Sequence, residues 1–248
     1  MKKTLLFFSV LLALSVGVAS AQVTTPGLYL GWDHCVGDGG VLNKTFACTA
    51  TTDGNTMVLS WVPTQSVPLF SSAEVWVDIS FRSGVLPAWW GNACAGRINS
   101  WLSCNVSRPG GAINCADSWT ENAMSGIADY RQNLPWASQL DAAGALPMGD
   151  EKLVDAGREY FLLNIRFSNA KARVVDGCLG CLIPACIDFS RLQYYQPDPE
   201  PVVTVFGSQH ATRHLISWQY PSDSQTNCLQ AAEPVRNTTW GAVKSLYR

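Results

Sequence analysis

Apolar and polar residues alternate with a period of two along much of this chain, the spacing that buries one face of a pleated strand and wets the other. Across residues 74–82, Val75, Val77, Ile79 and Phe81 fall on one face. Residues 159–168 repeat the pattern, with Phe161, Leu163, Ile165 and Phe167 inward and Asn164 and Arg166 outward. Shorter β-rich runs cover 56–62, 186–194, 202–206 and 214–218, and residues 28–32 and 45–49 add two more. Turn clusters such as Asp53-Gly54-Asn55 and Asp176-Gly177 separate them. Many short strands with long intervening loops predict an all-β chain, an antiparallel β-sandwich of jelly-roll or immunoglobulin-like type with few short helices.

Helical periodicity is weak. Residues 117–131 and 138–145 each have room for a short helix, although Gly126 and Gly144 weaken both. Residues 87–111, rich in Trp, Gly, Asn and Cys and without a period, read as a long disulfide-held loop. Pro197-Asp198-Pro199-Glu200-Pro201 is a polyproline-like linker after a main sandwich domain spanning 22–196. Residues 202–220 then read as a hairpin around Gly207-Ser208-Gln209, docked on that domain because an isolated hairpin is marginal in water. The polar tail, 221–248, ends in a short amphipathic segment with Trp240, Val243, Leu246 and Tyr247 at three- and four-residue spacing.

The first 21 residues read differently. Lys2 and Lys3 precede an apolar run over 5–18, and Ala19-Ser20-Ala21 supplies small residues for cleavage, the layout of a secretory signal peptide. The run is too short for a stable membrane span, and no second apolar run approaches spanning length. The expected location is therefore secreted, periplasmic or on the cell surface. Removal of the leader leaves 15 basic against 19 acidic side chains, a net charge of about −4. These charges are scattered with no basic stripe, which excludes nucleic acid as the natural partner.

Export changes how the nine cysteines are read, because an oxidising compartment favours disulfides over thiol chemistry. Short spacings favour Cys35–Cys48, Cys94–Cys115 and Cys178–Cys186, although spacing alone leaves the connectivity open. Cys178 and Cys181 form a Cys-x-x-Cys pair that could complete a zinc site with His210 and His214. The gap between Cys181 and His210 is about twice that of a zinc finger, so this stands as the weaker alternative. No cofactor is implied.

Catalytic signatures are sparse. Asp33 and His34 are adjacent, and neighbouring strand residues point to opposite faces, so they do not form a ready-made dyad. Asp78, Asp117, Glu121 and Asp129 could supply paired carboxylates for sugar hydrolysis, but the sequence does not select two of them. The ten tryptophans are more suggestive. Trp61 and Trp76 sit on strands and read as packing residues. Trp89 and Trp90 occupy a Pro- and Gly-rich loop, with Trp119 further along, and exposed aromatic faces of this kind bind sugar rings and protein partners. Trp89, Trp90 and Trp119 are the ligand-binding candidates, with core packing as the plainer alternative.

The chain also resembles a group of uncharacterised secreted bacterial proteins of similar length. The shared features are a signal peptide, a Gly-Leu-x-Leu-x-Trp strand (residues 27–32), the Cys-x-x-Cys-x-x-x-x-Cys segment formed by Cys178, Cys181 and Cys186, and a Trp-Gly-x-x-Lys-x-Leu-Tyr-Arg ending (240–248). That resemblance implies secretion and a shared fold and carries no activity. The expectation is an exported binding or structural protein of the cell surface or extracellular space, with catalysis left open as the less favoured reading and a glycan or another envelope component as partner. A secreted polysaccharide hydrolase and a metal-binding protein are the rival readings.

Overall fold

Period-two alternation becomes strand throughout the computed structural model, which describes residues 22–49, 54–91, 101–169, 172, 178–197, 201–209, 213–220 and 228. In chain order the strands are β1 (Gly27–Trp32), β2 (Asn43–Lys44), β3 (Gly54–Val62), β4 (Val67–Phe70), β5 (Ser72–Ser80), β6 (Leu102–Asn105) and β7 (Ala116–Asp117). They continue as β8 (Met124–Leu134), β9 (Ala137–Ala145), β10 (Lys152–Val154), β11 (Tyr160–Ser168), β12 (Ala185–Tyr195), β13 (Val203–Phe206) and β14 (Leu215–Trp218). The chain is all-β. The leader, Cys94, His210 and the amphipathic ending at 240–248 lie outside the described residues.

One sheet has the order β1-β3-β11-β6, with β7 beside β11. The other has the order β2-β14-β12-β5-β9-β8, with β13 also on β12, and β4 pairs separately with β10. Leu28 and Leu30 of β1, Met57 and Leu59 of β3 and Ile165 and Phe167 of β11 share one core with Val75, Val77 and Ile79 of β5, Leu140 of β9 and Ile187 of β12. The inward rows of two sheets therefore fill a single sandwich interior.

Three expectations about segments are corrected. Residues 117–131 and 138–145 hold no helix: β8 and β9 occupy most of them and pair antiparallel. Small residues here serve sheet packing, since a Cβ at Gly144 would sit 2.9 Å from the Trp119 ring. Residues 45–49 are not a strand, because Phe46 turns inward and stacks on Trp218 at 4.1 Å. The hairpin expected over 202–220 is instead one interrupted edge. Both β13 and β14 run antiparallel to β12, opposite Arg191–Tyr194 and Ala185–Asp188 respectively. A 3-10 turn, Gly207–Gln209, follows β13, and Phe189 N–H donates to the His214 carbonyl just before β14.

The disulfides form, but not in the expected pairs. Among the described residues the bridges are Cys35–Cys115, Cys48–Cys181 and Cys186–Cys228, with sequence separations of 80, 133 and 42. Cys178 is also disulfide-bonded and Cys104 on β6 is reduced. Sheet order decides which sulfurs meet, so chain proximity misleads: Cys35 leaves β1 and finds Cys115 entering β7.

A buried carboxylate fixes the first of these loops. Glu159 is fully buried and accepts hydrogen bonds from the Val36 and Gly37 N–H groups (3.1 and 2.8 Å) and from the Ser60 hydroxyl. Burial pushes its carboxyl pKa up, with these hydrogen bonds opposing the shift. Beside it, Asp38 accepts from the N–H groups of Ile113, Asn114 and Cys115. The Gly37-Asp38-Gly39-Gly40 turn is thus a latch between loops.

Candidate functional site

The sequence-derived ligand residues do not make a surface. Trp89 and Trp90 are fully buried and Trp119 is 3% exposed. Trp90 has Trp89 at 4.9 Å, Trp218 at 5.2 Å, Phe81 at 5.4 Å and Phe167 at 5.7 Å, so its neighbours are other rings. Trp119 donates its indole N–H to the Leu162 carbonyl and packs on Phe70 at 5.2 Å. These rings close the sandwich and leave no face for a sugar. The zinc alternative fails for a chemical reason, since Cys178 and Cys181 are oxidised and a disulfide sulfur is not a thiolate ligand. His214 instead bonds Asp188 at 2.7 Å. Asp33 pairs with Lys44.

Polar side chains converge elsewhere, on the solvent face of the seven-stranded sheet. Two one-residue bulges set up that face. In β12 the register shifts between Phe189 and Arg191, so Ile187 and Phe189 point inward before the bulge and Leu192 and Tyr194 after it. One extra residue flips the alternation and turns Arg191 outward, opposite Trp76 of β5. In β8 a second shift, between Ile127 and Asp129, turns Asp129 outward opposite Asp141 of β9. Trp76 is on this outer face and not in the core: the Arg191 guanidinium covers it, 3.5 Å from the ring centroid.

Around that stacked pair the side chains form two hydrogen-bonded groups. Gln139 donates to Asp78 (2.8 Å), Arg131 donates to Gln139 (2.7 Å), and Arg131 also donates to Asp129 (2.9 Å). The ladder crosses β5, β9 and β8. On the other side Tyr195 donates to Glu74 (3.1 Å), and Gln193 donates to Thr204 of β13 (3.1 Å). Of the four carboxylates singled out in the sequence, Asp78 and Asp129 meet on this face. Asp117 instead accepts the Trp119 backbone N–H, and Glu121 is exposed on a turn.

Glu74 and Asp141 were missed in the sequence. Their side chains hydrogen-bond each other, and burial, with Glu74 as the next cause, raises the Asp141 carboxyl to about 6. The outer face therefore carries carboxylates, amides and two guanidinium groups fixed by neighbours on paired strands, with Asp141 Oδ1 buried and without a hydrogen-bond partner. The signal that could have found it is the parity break between Phe189 and Leu192, which only a bulge reconciles with two buried runs.

Among the described residues no helix is long and apolar enough to cross a membrane. No family model and no curated protein matches the chain, so the reading of this face rests on its own geometry.

Proposed function

We propose that the protein is exported and binds an extended, hydroxyl-rich glycan across the outer face of its seven-stranded sheet, without catalysing its hydrolysis. The supporting observation is the Arg191–Trp76 stack set within the Asp78–Gln139–Arg131–Asp129 ladder. Planar carboxylate, amide and guanidinium groups offer paired donors and acceptors, and their mutual hydrogen bonds fix the rotamers before any ligand arrives. The disulfides suit an oxidising compartment and so support export.

A binding role fits better than hydrolysis for a geometric reason. Two-carboxylate glycosidases hold their acids about 5–5.5 Å apart when retaining and about 6.5–9.5 Å apart when inverting. Glu74 and Asp141 are in direct hydrogen-bonding contact, which leaves no space for a glycosidic oxygen or a water between them. Asp78 and Asp129 are already committed to Gln139 and Arg131.

Affinity electrophoresis of the mature chain through gels loaded with neutral and acidic polysaccharides tests the reading. At least one polymer should retard the wild type. Arg191→Ala should weaken that retardation about tenfold, the loss expected for about 1.4 kcal/mol from one charged hydrogen-bonding group. Equal migration of the two proteins in every gel would reject the face as the binding surface.

A further inference from the structure

The outer face continues past β12 to the edge strand β13, where Thr204 accepts from Gln193, and behind that edge β13 forms part of the wall of a cleft of about 270 Å3. This cleft opens where β13 diverges from the end of β3 in the opposite sheet. Trp61 and Tyr194, both buried, lie at its base with ring centroids 4.9 Å apart. Thr64, Gln65 and Gln209, all exposed, stand around its mouth. Glycine, valine and proline complete the wall, and among the described residues no charged side chain contributes to it.

We propose that this cleft is a terminal subsite for a single uncharged sugar residue, so that the protein recognises the end of a glycan lying across the outer face. The inference rests on the glycan reading of that face and adds where the chain stops and what its last residue is. Volume supports one ring and no more, since pockets for larger ligands begin at about 300 Å3. An uncharged wall selects against acidic and amino sugars, because a charged group entering it would lose water and gain no counter-charge. The base is apolar and the mouth carries hydroxyls and amides, which matches a ring with an apolar face and a polar rim. Trp61 has its N–H buried without an acceptor, and a guest reaches that donor only if the ring tilts, so the rim supplies the hydrogen bonds counted on here. From β8 to β13 the face crosses four strand spacings of about 4.8 Å, or about 19 Å, a track that brings a glycan of several residues to the β13 edge, over which its last residue turns into the cleft.

The test titrates free glucose, galactose, mannose and N-acetylglucosamine, with galacturonic acid as the charged counterpart, against the mature protein by saturation-transfer NMR. A ligand of a dozen heavy atoms at ordinary efficiency should bind with a Kd of about 1 mM. At least one neutral hexose should saturate in that range, and galacturonic acid should bind at least tenfold more weakly than galactose. Thr64→Trp, which plugs the mouth from an exposed turn, should abolish the signal. The milder double variant Gln65→Ala/Gln209→Ala should weaken it several-fold and keeps the test sound if the plug perturbs folding. Saturation by no hexose, equal binding of galacturonic acid, or full binding in both variants overturns the subsite. Gel retardation separates the two claims. Retention of a polysaccharide without any hexose signal removes the cleft and keeps the face, whereas a hexose signal without polymer retention removes the face and the terminal role together.

Discussion

Trp90→Ala separates a packing tryptophan from a ligand platform more sharply than any other substitution. Trp90 is fully buried, with four aromatic rings between 4.9 and 5.7 Å of its own. Truncating a buried Trp to Ala costs about 3–5 kcal/mol, and edge-to-face pairs of the kind made with Trp89, Trp218 and Phe81 contribute about 0.5–1.5 kcal/mol each beyond area burial. A loss of about 4 kcal/mol is therefore expected. In a chain of this length 1 kcal/mol shifts Tm by about 2–4 °C, so the drop should be about 8–16 °C. Trp90→Phe should cost about 1–2 kcal/mol, because the indole N–H it deletes has no acceptor and only volume is lost. Urea unfolding followed by far-UV circular dichroism reads both values from the midpoint at constant m. A Trp90→Ala protein within about 0.5 kcal/mol of wild type, with glycan retention abolished, would refute the packing reading and return Trp90 to the surface.

Three further outcomes follow from the same structure. Replacing Cys48 and Cys181 by Ser opens a bridge of sequence separation 133 and should cost about 3–5 kcal/mol, read as a fall in urea midpoint under non-reducing conditions. Glu159→Ala leaves the Val36 and Gly37 N–H groups and the Ser60 hydroxyl without their acceptor and should cost about 3 kcal/mol, whereas Glu159→Gln keeps an acceptor and should cost less than half of that by thermal melts. Asp141 titrates at about 6, above the value for an unfolded carboxyl, so its contribution to stability is complete below about pH 4 and is lost as pH rises through about 6. Asp141→Asn should flatten that segment of the Tm-against-pH curve, and an unchanged slope would show that Asp141 does not titrate there.

Strands with strong alternation were legible from the chain alone. β5 carries four apolar residues at period two, whereas β11 keeps that pattern from Leu163 to Phe167 and breaks it at a bulge between Phe161 and Leu163, so that Phe161 leaves the face on which the alternation placed it. β8 and β9 were obscured because Gly126, Ala142, Ala143 and Gly144 give no hydrophobic contrast in either period. Their pairing comes from tertiary contacts, above all the Trp119 ring that needs the bare Gly144 backbone. Disulfide partners were hidden for a related reason: they report sheet order, which no spacing encodes. The candidate site was half visible. Asp78 and Asp129 were among the residues considered, but the bulges that align them with Arg191 and Asp141 show up only as a parity change within β12 and β8. Burial of Trp89 and Trp90 could not be read from a Gly-Pro-rich loop, because their partners Phe167 and Trp218 come from distant strands.

Mapping amide chemical shifts in a 15N-labelled chain lacking residues 1–21, during titration with a polysaccharide fragment that retards it, addresses the binding face directly. Glu74, Trp76, Asp78, Arg131, Gln139, Arg191 and Gln193 should move together, in a patch crossing β8, β9, β5 and β12. Shifts confined to the opposite sheet or to the loops around Trp89 and Trp119, with this patch unmoved at saturation, would contradict the assignment.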